Sequence, residues 1–124
     1  TTAGEALLAT HQSFLPQIGP LLDSGRIKGL AHITGGGFLE NIPRILPEGV
    51  GVEINRGSWP ELPIFGLMQR LGNVAGHEMF RTFNMGIGIV VVCSESDSLE
   101  MLDRLGGAFV IGKVVSGKGE VKII

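Results

Sequence analysis

Three consecutive glycines, Gly35, Gly36 and Gly37, stand between an apolar run from Gly29 to Ile33 and a helix-compatible segment that begins at Phe38. Glycine reaches positive φ without steric cost and lets another backbone or a ligand come close. Several in a row destabilise regular structure, so their presence needs a compensating use. At a strand-to-helix corner the usual use is an anion site, because successive backbone N–H groups curl into a concavity and the helix start adds partial positive charge. The chemistry indicated is phosphate binding, with Thr34, Gly35, Gly36 and Gly37 as the cradle. Plain turns and tight helix–sheet contacts use the same triplet, which alone does not decide between them. It is not a Walker A loop, since no Gly-Lys-Ser/Thr follows. Nor is it the dinucleotide fingerprint, which would need a glycine where Glu40 stands.

Asn84-Met85-Gly86-Ile87-Gly88 forms a second glycine-bearing corner, feeding into another apolar run. Arg44 and Arg81 are the best cations for a phosphate or carboxylate, because guanidinium matches such groups with a two-pronged fork. Ordinary surface ion pairs are the competing reading for both. His32 lies on the strand before the glycines, where a lone histidine is ordinarily a satisfied core residue. Its closeness to the loop keeps it a candidate cleft contact. His77-Glu78 would suggest a zinc helix only with a second histidine four positions on, where Arg81 stands, so no metal site is indicated. His77 reads equally well as a loop residue capping a short helix. Cys93 ends an apolar run and reads as a buried structural thiol, and Trp59 reads as packing. No serine–histidine–acid arrangement is visible, nor a cluster of acids of the kind that holds magnesium. Catalytic residues remain unassigned.

These residues need elements to hold them. Ala6 to Asp23 has mostly helical spacing, but Pro16 and Pro20 predict a kinked or divided helix. Lys28 to Thr34 reads as a buried strand, Phe38 to Leu46 as a short helix, and Val50 to Ile54 as a half-buried strand. Pro63 to Leu71 and Gly76 to Phe83 read as helices. Ile87 to Cys93 gives the strongest central-strand signal. Ser94 to Leu105 reads as an amphipathic helix capped by Ser94 or Ser96. Ala108 to Val115 and Glu120 to Ile124 read as a hairpin joined through Ser116-Gly117-Lys118-Gly119. Alternating strands and helices predict a layered α/β domain with a mixed β-sheet flanked by helices.

A chain of 124 residues fits a single domain over 1–124. Charged residues make up 18%, against about 25% in an average soluble domain. Net charge is −2 without a basic cluster, which argues against nucleic acid and anionic membrane as partners. A single cysteine rules out an internal disulfide and suits a reducing compartment, so the chain reads as cytoplasmic. The low charge points to an exposed apolar face near His32 and the two glycine corners, one that admits a homodimer. The 20 glycines, which carry no charge, are the alternative explanation.

Taken together, Leu30-Ala31-His32-Ile33-Thr34-Gly35-Gly36-Gly37-Phe38-Leu39-Glu40-Asn41-Ile42-Pro43-Arg44-Ile45-Leu46-Pro47 closely resembles the C-terminal domain of the aminoimidazole ribonucleotide synthetase (phosphoribosylformylglycinamidine cyclo-ligase) family. Gly72-Asn73-Val74, Glu78-Met79, Arg81 through Gly88, Trp59-Pro60 and Ile111-Gly112 carry the likeness onward. The resemblance implies ATP-dependent ring closure on a small ribonucleotide in purine biosynthesis. It implies that ATP and magnesium are held mostly by an N-terminal domain absent here, with neither expected to bind this domain alone. It also implies that the glycine-rich loop faces the substrate phosphate, with His32, Asn41, Arg44, Arg81, Asn84 and Gly86 as candidate substrate or cleft contacts. The sequence departs from the family pattern at Gln12, where an arginine is expected, and at Thr10, where proline is typical. A non-catalytic phosphate-binding or assembly domain of the same fold is the competing reading.

Overall fold

A computed structural model describes residues 1–124. Along the chain run α1 (Ala3–Leu7), α2 (Leu15–Ile18), β1 (Gly29–His32), α3 (Gly37–Asn41), β2 (Val50–Ile54), α4 (Pro63–Gly72), α5 (Gly76–Thr82), β3 (Ile89–Val92), α6 (Ser98–Leu105), β4 (Gly112–Ser116) and β5 (Val121–Ile123). Short 3-10 turns at Gly19–Ser24, Ile42–Ile45 and Glu95–Asp97 extend α2, extend α3 and precede α6. The class is α/β, with one sheet mixed. No helix is long and apolar enough to cross a membrane.

The N-terminal segment is divided, as its prolines predict, but further than expected. A capping box, in which Glu5 N donates to Thr2 Oγ1 and Thr2 N donates to Glu5 Oε2, starts α1. The chain then leaves helix for residues 8–14. Pro16 and Pro20 each fall at the start of the next helical pieces, where a missing N–H costs nothing.

β1 and β3 form an antiparallel pair with Gly29 opposite Val92 and His32 opposite Ile89. Ile87 to Cys93 is therefore not a central strand, because β3 pairs on one side only and all four of its residues are half-buried. An apolar β-branched run reports how much surface leaves water, not how many ladders flank it.

The hairpin expected at the C-terminus is absent. β4 and β5 lie on opposite sides of β2, β4 antiparallel and β5 parallel to it. Their connection wraps over the start of β2, where Gly117 N donates to Gly49 O (3.1 Å) and Gly119 N to Val50 O (2.7 Å). The crossing is close: a Cβ on Gly117 would sit 3.0 Å from Gly51 N. Glu120 fastens the wrap by accepting from the Lys118 amide, and backbone hydrogen bonds hold its carboxyl below the usual carboxylate range. The serine cap of the sixth helix is also absent. A 3-10 turn takes its place, and Ser98 Oγ donates to Glu95 O at 2.7 Å.

The core gathers Ala31 and Ile33 at β1, Phe38 and Ile42 from the α3 region, and Val52 and Ile54 from β2. Trp59, Phe65, Met79, Phe80 and Met85 complete it. Phe38 is its hub, packing edge-on to Trp59 (centroids 5.7 Å apart) and stacked on Phe80 (6.1 Å). This core lies beneath both glycine corners, so their backbone shapes rest on packed side chains.

Candidate functional site

The first corner turns sharply, with Gly36 at φ 101° and Gly37 at φ 56°, both in the region that favours glycine. Gly37 N donates to Thr34 O at 2.9 Å and closes the turn into α3. A Cβ on Gly37 would lie 2.0 Å from the Phe80 carbonyl oxygen and 2.9 Å from that of Phe83. Close approach of α3 to the end of α5 therefore demands this glycine, whatever the loop binds. Gly35 is different, for a Cβ there would meet nothing within 4 Å. Asn41 is buried and its Nδ2 lies 2.9 Å from Gly37 O, 3.2 Å from Thr34 O and 3.3 Å from Gly35 O. With those carbonyls gathered on Asn41, the amides of Thr34, Gly35 and Gly36 donate to no protein acceptor.

The second corner lies beside the first. Ile33 N donates to Gly88 O at 2.9 Å, joining the strand before one corner to the end of the other. Asn84 Oδ1 accepts from Gly86 N (2.9 Å), and Ile87 N donates to Asn84 O (3.0 Å). Trp59 Nε1 donates to Met85 O at 2.9 Å, which anchors this corner to the core. Trp59 thus packs, as its sequence context suggests, and also fixes a loop. Asn41 and Asn84 are fasteners of their loops, while Gly86 is exposed at the surface they shape.

The charges near the loops are largely paired. Arg81 donates from both Nε and Nη2 to Glu78, and its Nη1 lies 3.8 Å from Glu40 Oε1. The Arg81 hydrogen bond holds the exposed Glu78 carboxyl below its ordinary range, and Glu78 in turn raises Arg81. Glu40 folds back against Gly36, so Arg81 offsets a negative charge at the loop's edge. Arg44 is exposed on the 3-10 turn after α3 and joins none of these pairs. His77 is the second residue of α5, not its cap, which is Ala75. Cys93 is half-buried, and burial pushes its thiol up, which disfavours the reactive thiolate.

His32 is not a core residue. It is exposed at the end of β1, and its Nε2 lies 3.2 Å from Nε2 of His11. Side chains alternate along a strand, so burial of Ala31 and Ile33 turns His32 outward.

The model of the family described as "AIR synthase related protein, C-terminal domain" matches residues 2–124. The chain belongs to this family. Relatives named phosphoribosylformylglycinamidine cyclo-ligase include that of Thermoanaerobacter pseudethanolicus, 48% identical over 95% of this chain and 36% of its own length. That of Acetivibrio thermocellus is 46% identical over 99% of this chain and 37% of its own. That of Brevibacillus brevis is 45% identical over 95% and 35%. The chain thus spans about a third of the length of these curated relatives. Two crystal structures of E. coli HypE, one described as a hydrogenase maturation protein, superpose with TM-scores of 0.66 and 0.67. They cover 90% and 97% of this chain, and 36% and 40% of theirs, at 24% and 22% identity. That likeness concerns the fold alone.

In this AIR synthase related domain Thr10 and Gln12 are exposed and fall in segment 8–14. Neither side chain makes a hydrogen bond to the glycine corners. The same segment carries His11 and Phe14, which no motif or spacing in the chain links to the corners. Phe14 covers Gly88 so closely that a Cβ there would lie 2.4 Å from its ring.

Proposed function

We propose that this chain is the C-terminal part of an ATP-dependent phosphoribosylformylglycinamidine cyclo-ligase, in which the paired glycine corners receive the substrate's phosphate. The observation that carries the reading is identity of 45–48% to cyclo-ligases over nearly the whole chain. In the reaction the resemblance implies, the formyl amide oxygen is phosphorylated and an amidine nitrogen attacks the activated carbon. Phosphate leaves and the imidazole ring forms. This chain's contribution is binding and orientation: the amides of Thr34, Gly35 and Gly36 offer donors to a phosphate, and Arg81 tempers the adjacent Glu40.

No three side chains of His, Cys, Asp or Glu converge anywhere in this chain, and magnesium beside a triphosphate takes one or two carboxylates together with phosphate oxygens and water. No step through that group is assigned to this chain. Partnership with the remainder of a longer enzyme also fits the surface. Accessible area is 7728 Å², whereas a compact monomer of this mass exposes about 6,400 Å². The excess is comparable to an interdomain interface of roughly 600–1,500 Å². Exposed large apolar side chains such as Leu8, Leu71 and Leu99 are not part of the glycine corners, so low charge does not by itself locate a docking face there.

The test is to join the N-terminal part of the Brevibacillus relative to this chain and assay ring closure. The fusion should form the imidazole product, and the 124-residue chain alone should turn over no ATP. A folded fusion that binds phosphate without catalysis would favour the non-catalytic reading. Robust ATP turnover by the isolated chain would overturn the division of labour.

A further inference from the structure

Two exposed imidazoles face one another at the edge of the β1–β3 ladder. His11 Nε2 and His32 Nε2 are 3.2 Å apart, with ring centroids 5.3 Å apart and planes inclined by 54°. His32 is fixed by the strand, where it sits opposite Ile89. His11 comes from segment 8–14, held by its edge-on contact with Phe14 (centroids 5.9 Å) and by the seat of Phe14 over Gly88. Two imidazole nitrogens bound to one tetrahedral zinc at about 2.0–2.1 Å lie about 3.3–3.4 Å from each other. The observed spacing of 3.2 Å is within a few tenths of an ångström of that value.

We propose that His11 and His32 form a two-imidazole clamp for a divalent transition-metal ion of the zinc, nickel or copper class. Imidazole suits these borderline ions, whereas magnesium and calcium select oxygen ligands. The site is open. No third His, Cys, Asp or Glu joins the pair, so water or an external ligand completes the coordination. Both rings are exposed, which gives the ion a direct path in.

Without metal the same pair shares one proton, the Nε2–H of one ring donating to the Nε2 lone pair of the other. Coordination needs both Nε2 lone pairs, so the donating ring carries its proton on Nδ1 instead. This exchange of tautomer moves the proton within the ring and releases none. The bound ion would staple segment 8–14 to β1, two residues before Thr34 and the glycine loop.

The test is calorimetric titration of the untagged chain with Zn²⁺ and then Ni²⁺ in a non-chelating buffer. Alongside it run His11→Gln, His32→Gln and His77→Gln, with circular dichroism to confirm that each is folded. Saturable binding of one ion, weakened at least about tenfold by either His11→Gln or His32→Gln and unchanged by His77→Gln, is the expected result. Absence of saturable binding, or binding that survives His11→Gln or depends on His77, would leave the pair a shared-proton hydrogen bond and overturn the proposal.

Discussion

Replacing Gly37 by alanine should destabilise the domain by about 4 kcal/mol or more, enough to unfold a marginally stable chain. Two costs act together. At φ 56° an L-residue loses roughly 1–2 kcal/mol relative to the right-handed conformation. The new methyl would also stand 2.0 Å from the Phe80 carbonyl oxygen, so α3 must move away from α5. That movement strains the stack of Phe38 on Phe80 and the Asn41 bonds to the loop carbonyls. Gly35→Ala is the control, because its methyl enters open space. Urea denaturation of the two variants should give a large fall in midpoint for Gly37→Ala and little change for Gly35→Ala. Equal midpoints would mean that packing does not require the third glycine.

Phe38→Ala should cost about 3–5 kcal/mol, the usual range for emptying a large aromatic site in a core. Phe38 is fully buried and touches both Trp59 and Phe80. Its loss removes buried area and leaves a cavity under the corner that Trp59 Nε1 anchors through Met85 O. The same denaturation series measures it. A loss below about 1 kcal/mol would show that the core collapses around the gap and that Phe38 is not its hub.

Some local signals carry straight into the structure, whereas the helical spacing over residues 8–14 and the serine cap before α6 do not. Val50–Ile54 alternates and is a strand with those bounds, and the helix read from Pro63 to Leu71 ends one residue later at Gly72. The terminal hairpin failed for a non-local reason. A glycine-rich turn between two apolar runs looks the same whether the runs pair together or straddle a third strand. Only the long-range partner β2, with Gly51 and Gly117 permitting the crossing, decides it. Hydrophobicity does not count ladders, so the apolar run of β3 reads as central although it pairs with β1 alone.

The site divides the same way. The two glycine corners were legible as corners, and the structure sets them side by side through the Ile33–Gly88 bond. The separate duties of the glycines were not legible, since Gly37 answers to a carbonyl on α5 more than 40 residues away. Asn41 and Asn84 carry amides that read as ligand contacts, yet both bind their own loops. For Arg81 the sequence leaves an anion contact and an ordinary ion pair both open, and the structure pairs it with Glu78 and Glu40. The His11–His32 pair needed the fold, because no spacing rule joins residues 21 positions apart.

The central claim, that the paired corners form a phosphate site, is tested most directly by following backbone amide shifts while titrating inorganic phosphate and then ribose 5-phosphate. Saturable shifts should centre on Thr34, Gly35 and Gly36 and extend to Asn84 through Gly88, and Gly36→Val should abolish them by forbidding the φ of 101°. Shifts confined to another face, or a folded Gly36→Val chain that still binds, would contradict it.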